Sequence, residues 1–322
     1  MRAAAHKESM TSVIICTYNR SESLRGTLES LAKMEVPADL TWELIVVDNN
    51  SADNTRGVIE EFIRTSNLAV RYIFEGQQGL SHARNRGIRE SRGEIIAFTD
   101  DDVRVSSRWL TELDATFNGS DCMAVAGRII AAWDGVEKPA WLSGTGSDRL
   151  MRGPLVDTGN GPTTNAGVVL PWGANMAFRK SAFREHGLFR TDLGVSGSGR
   201  LVGEDTEFGR RLISAGETVA YSHEAVVFHP VDKRRLTKAY FLSWSFNYGR
   251  SCVREDRWPE KSVLWFGIPR YMFRELLANY ARWVTCYARA RRFRYKVQVY
   301  SSLGQIAEAR RIGKEGWSVA PR

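Results

Sequence analysis

Short apolar runs alternate with helix-like patterns over the first hundred residues of the chain. Four runs of four or five residues are apolar enough for strands buried on both faces, and they are Val13–Cys16, Leu44–Val47, Val70–Phe74 and Ile95–Phe98. Three helices are predicted between these runs, because apolar residues recur there at helical spacing. The first contains Leu24, Leu28 and Leu31, the second contains Val58, Phe62 and Ile63, and the third is Leu80–Glu90. Strands separated by such helices imply right-handed crossovers and a parallel, doubly wound α/β sheet.

Polar residues collect where these strands end. Thr17–Arg20 follow the first run, Asp48–Ser51 follow the second, and Asp100–Asp102 follow the fourth. Ligands of doubly wound sheets bind outside the carboxyl ends of the strands. Three adjacent carboxylates repel one another unless a cation compensates them, and hard divalent cations prefer oxygen ligands. The acidic run is therefore a candidate cation site, and the alternative is a solvated Asp-rich turn.

Composition narrows the class of protein. The 322 residues suit one large domain or one domain with an appendage, and the hydrophobic and charged fractions of 43% and 25% exclude wholesale disorder, collagen and coiled coil. The four cysteines form no CxxC pair, which favours a reduced cytosolic setting. Neither a secretory signal nor a transmembrane segment is visible. The sequence also has no GxGxxG after the first strand and no GxxxxGK(S/T), which disfavours dinucleotide dehydrogenases and P-loop NTPases.

The net charge of +8 is unevenly distributed. Residues 231–322 contain 20 basic and 7 acidic side chains, whereas residues 1–230 contain 25 basic and 30 acidic ones. The chain is thus an acidic body with a basic tail, and such a tail suits an anionic membrane surface or another polyanion.

Several motifs, taken together in order and spacing, resemble family 2 glycosyltransferases. The first four are Ser12–Arg20, Leu44–Ser51, Gly79–Gly87 and Gly93–Val103, and the later ones are Gly173–Arg179, Gly203–Glu207 and Phe228–Pro230. The resemblance covers roughly residues 11–232 and implies a GT-A fold, with a Rossmann-like mixed sheet and helices on both faces. It also implies transfer of a sugar from a nucleotide-sugar donor with inversion, assisted by Mn²⁺ or Mg²⁺. Residues 1–10 are then a flexible N-terminus, and residues 233–322 are a basic, amphipathic helical extension.

The same resemblance implies roles for the donor-side residues. Thr17 and Tyr18 would line the nucleotide, with Tyr18 against the base, and Asp48 would accept from the base or ribose. The other donor and metal residues of this set are Asp100, Asp101, Asp102 and His229. Arg84 is expected to reach the donor for a different reason, its place on a helical turn between the third and fourth strands, and a solvated helix face is the alternative. Asp100 would contact the ribose and Asp102 would bind the metal, although the all-Asp triplet leaves a shift to Asp101 open. His229 would approach the metal or diphosphate, and an ordinary hydrogen-bonded histidine is the alternative.

A second set of residues is expected near the reacting sugar. Glu204 and Asp205 precede an apolar helical face, so they sit at a helix N-terminus, which favours ionised carboxylates. The resemblance makes Asp205 the general base and gives Glu204 an orienting role; two carboxylates that merely complement the helix dipole are the alternative. By the same resemblance, Gly173 and Asn175 lie near the donor sugar and acceptor. Trp172 would stack on a sugar or act as an apolar anchor.

Two further segments bear on the acceptor. Residues 131–171 have the composition of a long loop and are predicted to form the acceptor side of the cleft. Arg270–Tyr287 has an aromatic, apolar helical face and is followed by an arginine-rich run, which suits a membrane interface. Packing on the catalytic body or on a second copy of the chain is the alternative. No nucleic-acid reader motif accompanies the basic run, so nucleic-acid binding is not expected.

The sequence therefore predicts an inverting, metal-dependent glycosyltransferase of cell-surface polysaccharide or glycolipid assembly. We expect it to be cytoplasmic and peripheral on the inner face of the membrane, with a glycan or lipid-linked acceptor. UDP is the donor nucleotide implied by the resemblance, and GDP and dTDP stay open. The main alternative is a noncatalytic scaffold that binds a nucleotide-sugar or glycan. A nucleotidyltransferase is a weaker rival because no Gly-rich basic loop follows the first strand.

Overall fold

The computed structural model describes residues 10–143, 147–159, 164–165, 168–196 and 199–315. Of the predicted flexible N-terminus only Met10 lies within these ranges. Its carbonyl accepts a hydrogen bond from the Glu94 amide at 2.9 Å.

A single mixed sheet of eight strands forms the centre of the protein, in the order β3-β2-β1-β4-β9-β6-β12-β5. Its strands are β1 (Thr11–Thr17), β2 (Trp42–Asp48), β3 (Val70–Phe74), β4 (Ile95–Asp100), β5 (Arg104–Val105), β6 (Ala124–Ala132), β9 (Asn175–Arg179) and β12 (Val219–Pro230). Three two-stranded ribbons lie outside it, and they pair β7 (Thr164–Asn165) with β8 (Val168–Val169), β10 (Val195–Ser196) with β11 (Gly199–Arg200), and β13 (Leu264–Trp265) with β14 (Ile268–Pro269).

Helices connect these strands and extend beyond them. They are α1 (Ser21–Ala32), α2 (Thr55–Thr65), α3 (Leu80–Glu90), α4 (Trp109–Gly119), α5 (Ser147–Leu155), α6 (Lys180–His186), α7 (Glu204–Ser214), α8 (Lys238–Glu255), α9 (Arg270–Thr285) and α10 (Arg289–Glu315). Short 3₁₀ turns occur at Ala140–Leu142 and Lys233–Arg235.

The first half of the sheet is parallel, as the alternation of the sequence predicts. The strand β1 pairs in parallel with both β2 and β4, and β2 pairs in parallel with β3. The strand β9 then inserts antiparallel between β4 and β6, which makes the sheet mixed. Because Asn175 of β9 pairs opposite Thr99 of β4, the segment that precedes β9 meets the carboxyl end of β4.

Helix α2 buries a slightly different face from the predicted one. Val58 and Ile59 are buried, whereas Ile63 is 38% exposed. The helix packs mainly through its first two turns, so the apolar Ile63 is left at the edge of the contact.

The segment 131–171 differs from the predicted loop. It contains the helix α5, and Met151 and Leu155 of this helix are buried in an apolar cluster with Phe241 and Phe293. The two residues are one turn apart, and burial against the C-terminal helices stabilises a helix that the Gly- and Pro-rich composition does not favour.

The basic C-terminal region is helical, as predicted, and its helices pack on one another and on the sheet domain. Glu308 of α10 is buried and accepts from Arg250, Arg254 and Arg311, which ties α8 to α10. Within the described ranges, no helix is both long enough and apolar enough to span a bilayer.

Candidate active site

A cleft of about 800 Å³ opens at the carboxyl ends of β1 and β4. Its walls come from these strand ends, from the start of α7, from the segment before β9 and from one face of α8. Its size lies within the usual range of ligand sites, roughly 300–1,000 Å³.

The acidic run lies in this cleft and is surrounded by cationic side chains. Arg20 Nη1 donates to Asp101 Oδ1 at 3.0 Å and to Asp102 Oδ2 at 2.7 Å. Asp102 Oδ2 also lies 3.6 Å from Arg235 Nη2, and Asp102 Oδ1 lies 3.5 Å from His229 Nε2. Arg84 Nη2 also lies 3.7 Å from Asp100 Oδ1, so arginines from three different parts of the fold offset the carboxylates.

Three of these residues have the arrangement of a cation site. Ligand atoms of Asp100, Asp102 and His229 all lie within 4.8 Å of one another. His229 is buried, and its Nδ1 has no hydrogen-bond partner among the described residues. Asp101 is buried against Arg20 and is not part of this group. Two carboxylates and an imidazole fit Mn²⁺ or Mg²⁺, and the geometry favours Asp102 over Asp101 as the ligand.

The three carboxyl groups have different electrostatic surroundings. Burial raises the pKa of Asp101 to about 7, with the neighbouring carboxylates adding to the shift. Burial also raises the pKa of Asp100, against the opposing charge of Arg84. Burial alone would raise the pKa of Asp102 too. Its neighbour His229 and the guanidinium groups of Arg20 and Arg235 outweigh burial and lower that pKa, so Asp102 is ionised.

Asp205 is held in place by two backbone amides. Its Oδ2 accepts from the Gly173 amide at 2.6 Å, and its Oδ1 accepts from the Thr206 amide at 2.7 Å. A Cβ on Gly173 would lie 2.1 Å from Arg84 Nη2 and 3.3 Å from Asp205 Oδ2. The chain therefore needs a glycine at 173 for the amide to reach the carboxylate.

Glu204 is not the open, helix-end carboxylate that its sequence position suggests. It is buried and forms an ion pair with Arg84, which is itself only 3% exposed. Burial raises the pKa of Glu204 to about 7, the adjacent Asp205 adds to the rise, and Arg84 opposes it. The cost of burying the carboxylate thus outweighs the stabilisation by Arg84 at this residue.

The expected donor-side residues divide into two groups. Tyr18 is 43% exposed and lines the cleft together with Thr17. Asp48 is buried, and its carboxylate accepts from the Ser51 amide at 2.9 Å and from the Tyr72 hydroxyl at 3.1 Å. Both carboxylate oxygens of Asp48 are thus used within the protein.

Asn175 has a structural place in the fold, which corrects the expected contact with sugar. It is fully buried; its Oδ1 accepts from Trp109 Nε1 at 2.8 Å, and its Nδ2 donates to the carbonyls of Arg128 and Ala225 at 2.8 Å each. The amide group has no proton left to offer a ligand. Trp172, by contrast, lines the cleft beside Gly173.

Two groups of cleft residues were missed by the sequence analysis. Arg20 and Arg235 reach Asp102 from the loop after β1 and from the turn before α8. The place of Arg20 after the first strand indicates that it lies near the acidic run, whereas no pattern in the sequence indicates this for Arg235. The aromatic residues of α8 were detectable, because Tyr240, Trp244 and Tyr248 recur every four residues.

Comparison with known proteins agrees with this geometry. The model of the family described as Glycosyl transferase family 2 matches residues 12–187. The chain belongs to this family. The resemblance drawn from the motifs is thereby confirmed.

Similar glycosyltransferases cover most of the chain. The succinoglycan biosynthesis protein ExoM of Rhizobium meliloti (strain 1021) is 33% identical over 238 residues, which are 74% of this chain and 72% of that protein. A glucosyl-dolichyl phosphate glucuronosyltransferase of Haloferax volcanii is 28% identical over 252 residues, which are 74% of this chain and 75% of that protein.

The fold is also that of a known enzyme structure. The mannosyltransferase PcManGT of Pyrobaculum calidifontis, solved with GDP-Man and Mn²⁺, superposes with a TM-score of 0.55 at 18% identity, covering 96% of this chain and 76% of that one. This glycosyltransferase is therefore a GT-A protein with an added set of C-terminal helices, as the motifs implied.

Proposed function

We propose that this family 2 glycosyltransferase transfers a sugar, with inversion, from a nucleoside diphosphate sugar to a hydroxyl of a glycan or lipid-linked acceptor, using a divalent cation. The observation that carries the proposal is the placement of a candidate cation site and of Asp205, a carboxylate oriented by two backbone amides, in one cleft. A reaction that expels a diphosphate and deprotonates a hydroxyl requires both.

Asp100, Asp102 and His229 would hold the cation. When bound, Mn²⁺ or Mg²⁺ would act as a Lewis acid that stabilises the diphosphate leaving group. Arg20 and Arg235 lie beside Asp102. We propose that they also bind the diphosphate leaving group, because guanidinium groups match phosphate oxygens in geometry.

Asp205 would accept the proton of the acceptor hydroxyl. The amides of Gly173 and Thr206 fix the orientation of its carboxylate. The hydroxyl oxygen then forms the new glycosidic bond as the bond to the diphosphate breaks on the opposite face of the sugar, which inverts the anomeric carbon. Glu204 and Arg84, buried together behind Asp205, would position this part of the cleft.

The similar proteins support the biological setting. ExoM is named for succinoglycan biosynthesis, and the Haloferax volcanii relative is named for a dolichyl phosphate-linked sugar. We therefore place this protein in cell-surface polysaccharide or glycolipid synthesis. UDP is the first donor nucleotide to test. GDP is the second, because the mannosyltransferase structure was solved with GDP-Man.

We further propose that the protein lies on the inner face of the cell membrane, bound through its C-terminal helices. Much of the predicted apolar face of α9 is exposed to solvent. Leu277 is 68% exposed, Tyr280 is 50% exposed, and Tyr287, just beyond the helix, is 97% exposed. Basic side chains flank this face, so it suits an anionic lipid surface.

Calorimetric titration tests the catalytic proposal. We expect UDP, GDP or dTDP to bind the wild-type protein in the presence of Mn²⁺, and binding to be lost in Asp102→Ala but kept in the control Asp39→Ala, an exposed aspartate on another loop. Asp205→Asn should retain metal-dependent nucleotide binding and lose turnover by roughly 10²–10⁴-fold, because the base is removed and the donor site is not.

Two results would contradict this account. Retained turnover in Asp205→Asn would move the base to another residue. Failure of all three nucleotides to bind, with or without Mn²⁺, would remove the donor site and favour a noncatalytic scaffold.

A further inference from the structure

Helix α8 presents a row of aromatic side chains to the cleft. Tyr240, Trp244 and Tyr248 follow one another at intervals of four residues, and all three line the same cleft as Asp205. Four-residue spacing keeps side chains on one helical face, and eight residues of helix span about 12 Å. Polar Ser243 and Asn247 line the cleft beside the row. We call these five residues the α8 wall.

Two rings of the α8 wall are held parallel. The ring centroids of Trp244 and Tyr248 are 5.2 Å apart with an interplanar angle of 10°, and Tyr248 is 43% exposed. The backbone of α5 fixes the outer edge of Trp244, since a Cβ on Gly153 would lie 2.0 Å from its Cη2. The aromatic pair is therefore pre-positioned, with part of its surface open to the cleft.

The core accounts for only part of this row, since Tyr240 packs against the apolar cluster of Phe241 while Tyr248 is 43% exposed. The neighbouring face of α8 carries Phe241, Ser245 and Gly249, which are buried against the rest of the protein. Each aromatic residue of the α8 wall comes one position before one of these buried residues, so α8 has a packed face and a separate aromatic face in the cleft.

The α8 wall is tied to the segment that carries Asp205. The Val202 amide donates to Ser251 Oγ at 2.9 Å, and Ser251 lies less than one turn beyond Tyr248. Glu255, the last residue of α8, forms an ion pair with Arg210 of α7. These contacts hold the aromatic row in register with the start of α7, where Asp205 lies.

We propose that the α8 wall is the acceptor subsite and that it binds at least two consecutive pyranose rings of a glycan. The inference rests on the proposed function, because it supplies the hydroxyl that Asp205 would deprotonate. Aromatic faces pack against the C–H face of a sugar ring, and the Ser243 hydroxyl can hydrogen-bond its hydroxyl groups. Asn247 Nδ2 donates one proton to the Ser243 carbonyl at 3.0 Å, which leaves its second amide proton for the sugar. The length of the row exceeds one ring. Polar groups among the aromatics favour sugar over the lipid chain of a lipid-linked acceptor.

Ligand-observed saturation-transfer NMR tests this subsite on the full chain with diamagnetic Mg²⁺ and whichever of UDP, GDP and dTDP binds in the calorimetric titration. The probes are the methyl glycosides of glucose, galactose and mannose and those of cellobiose, lactose and maltose. We expect saturation of sugar ring protons, with a disaccharide binding several-fold more tightly than its monosaccharide. Trp244→Ala should weaken this binding about tenfold, and Trp244→Phe should restore most of it.

The control is Trp42→Ala, which removes a partly buried tryptophan at the amino end of β2, the opposite edge of the sheet from the cleft. It should leave sugar binding unchanged. Asn247→Ala provides a second variant that keeps the aromatic packing, and it should weaken sugar binding without changing the melting temperature. Nucleotide titration of every variant should match the wild type.

The outcomes separate the two proposals. If nucleotide fails to bind the wild type, the proposed function fails first. If nucleotide binds and no glycoside of the panel receives saturation, or if Trp244→Ala and Asn247→Ala bind sugar as the wild type does, the acceptor subsite is wrong. Saturation of only the alkyl chain of an octyl glucoside would assign the α8 wall to lipid and overturn the inference as well.

Discussion

Gly173 shows how much of the site depends on one backbone position. Its amide donates to Asp205 at 2.6 Å, and a Cβ there would lie 2.1 Å from Arg84 Nη2. Arg84 cannot easily move away, because it is buried and paired with Glu204. Any side chain at 173 must therefore shift the base, the arginine or both.

We expect Gly173→Ala to lower turnover by roughly tenfold to a hundredfold while nucleotide binding persists, because a small displacement of a catalytic group is costly. Steady-state kinetics and calorimetry of the same protein measure the two effects. The matched control is Gly26→Ala in α1, where a Cβ would meet nothing within 4 Å. It should leave turnover unchanged and raise the melting temperature slightly. Wild-type turnover in Gly173→Ala would show that the amide does not orient the base.

At the scale of elements, α8 and α10 approach each other backbone to backbone. A Cβ on Gly249 would lie 2.0 Å from the Ser301 carbonyl oxygen, and one on Gly304 would lie 1.9 Å from the Phe246 carbonyl oxygen. The two glycines thus allow a crossing closer than larger residues permit. Because α8 also forms a wall of the cleft, this crossing helps to position residues of the site.

We expect Gly249→Ala to lower the free energy of unfolding by about 1–3 kcal/mol, because the added methyl group overpacks the crossing. Urea unfolding followed by circular dichroism measures the change. Gly119→Ala, at the end of α4 and with nothing within 4 Å of a Cβ, is the control and should be nearly neutral. Equal stability of both variants would mean that the two helices separate at little cost.

At the scale of the whole molecule, charge and exposed apolar surface both concentrate in the C-terminal helices. Phe266, at the tip of the β13–β14 ribbon, is 97% exposed, and Trp265 beside it is 51% exposed. The ring centroid of Trp265 lies 6.3 Å from that of Phe273 in α9, so the ribbon adjoins the exposed apolar face of this helix. This combination suits an anionic membrane better than neutral lipid.

We expect the protein to sediment with vesicles that contain phosphatidylglycerol, and less so with pure phosphatidylcholine, and we expect high salt to release it. Phe266→Ser should weaken binding roughly tenfold, because burying one phenyl ring contributes about 1.5–3 kcal/mol. Phe74→Ser, which removes a 49% exposed ring from β3, is the control. Equal binding to both kinds of vesicle would count against the proposal. Self-association without lipid binding would mean that this surface binds a second copy of the chain.

The sequence by itself determined the family, the parallel half of the sheet and the acidic run. Strand and helix periods depend on local patterning, so the runs from Val13 to Phe98 located four strands and the helices between them. The order of the motifs was enough for the family, and three of them include the carboxyl ends of the neighbouring parallel strands β1, β2 and β4, which lie at one edge of the sheet.

Only the tertiary structure decided which polar groups are free to act. Asn175 was expected in the site, yet its amide oxygen and both of its amide protons are used within the protein. Arg20 and Arg235 reach Asp102 from positions far apart in sequence, and the aromatic row of α8 faces the cleft because α8 packs its other side on the core. Side-chain availability depends on partners brought together by long-range packing, and the period of a single segment does not specify those partners.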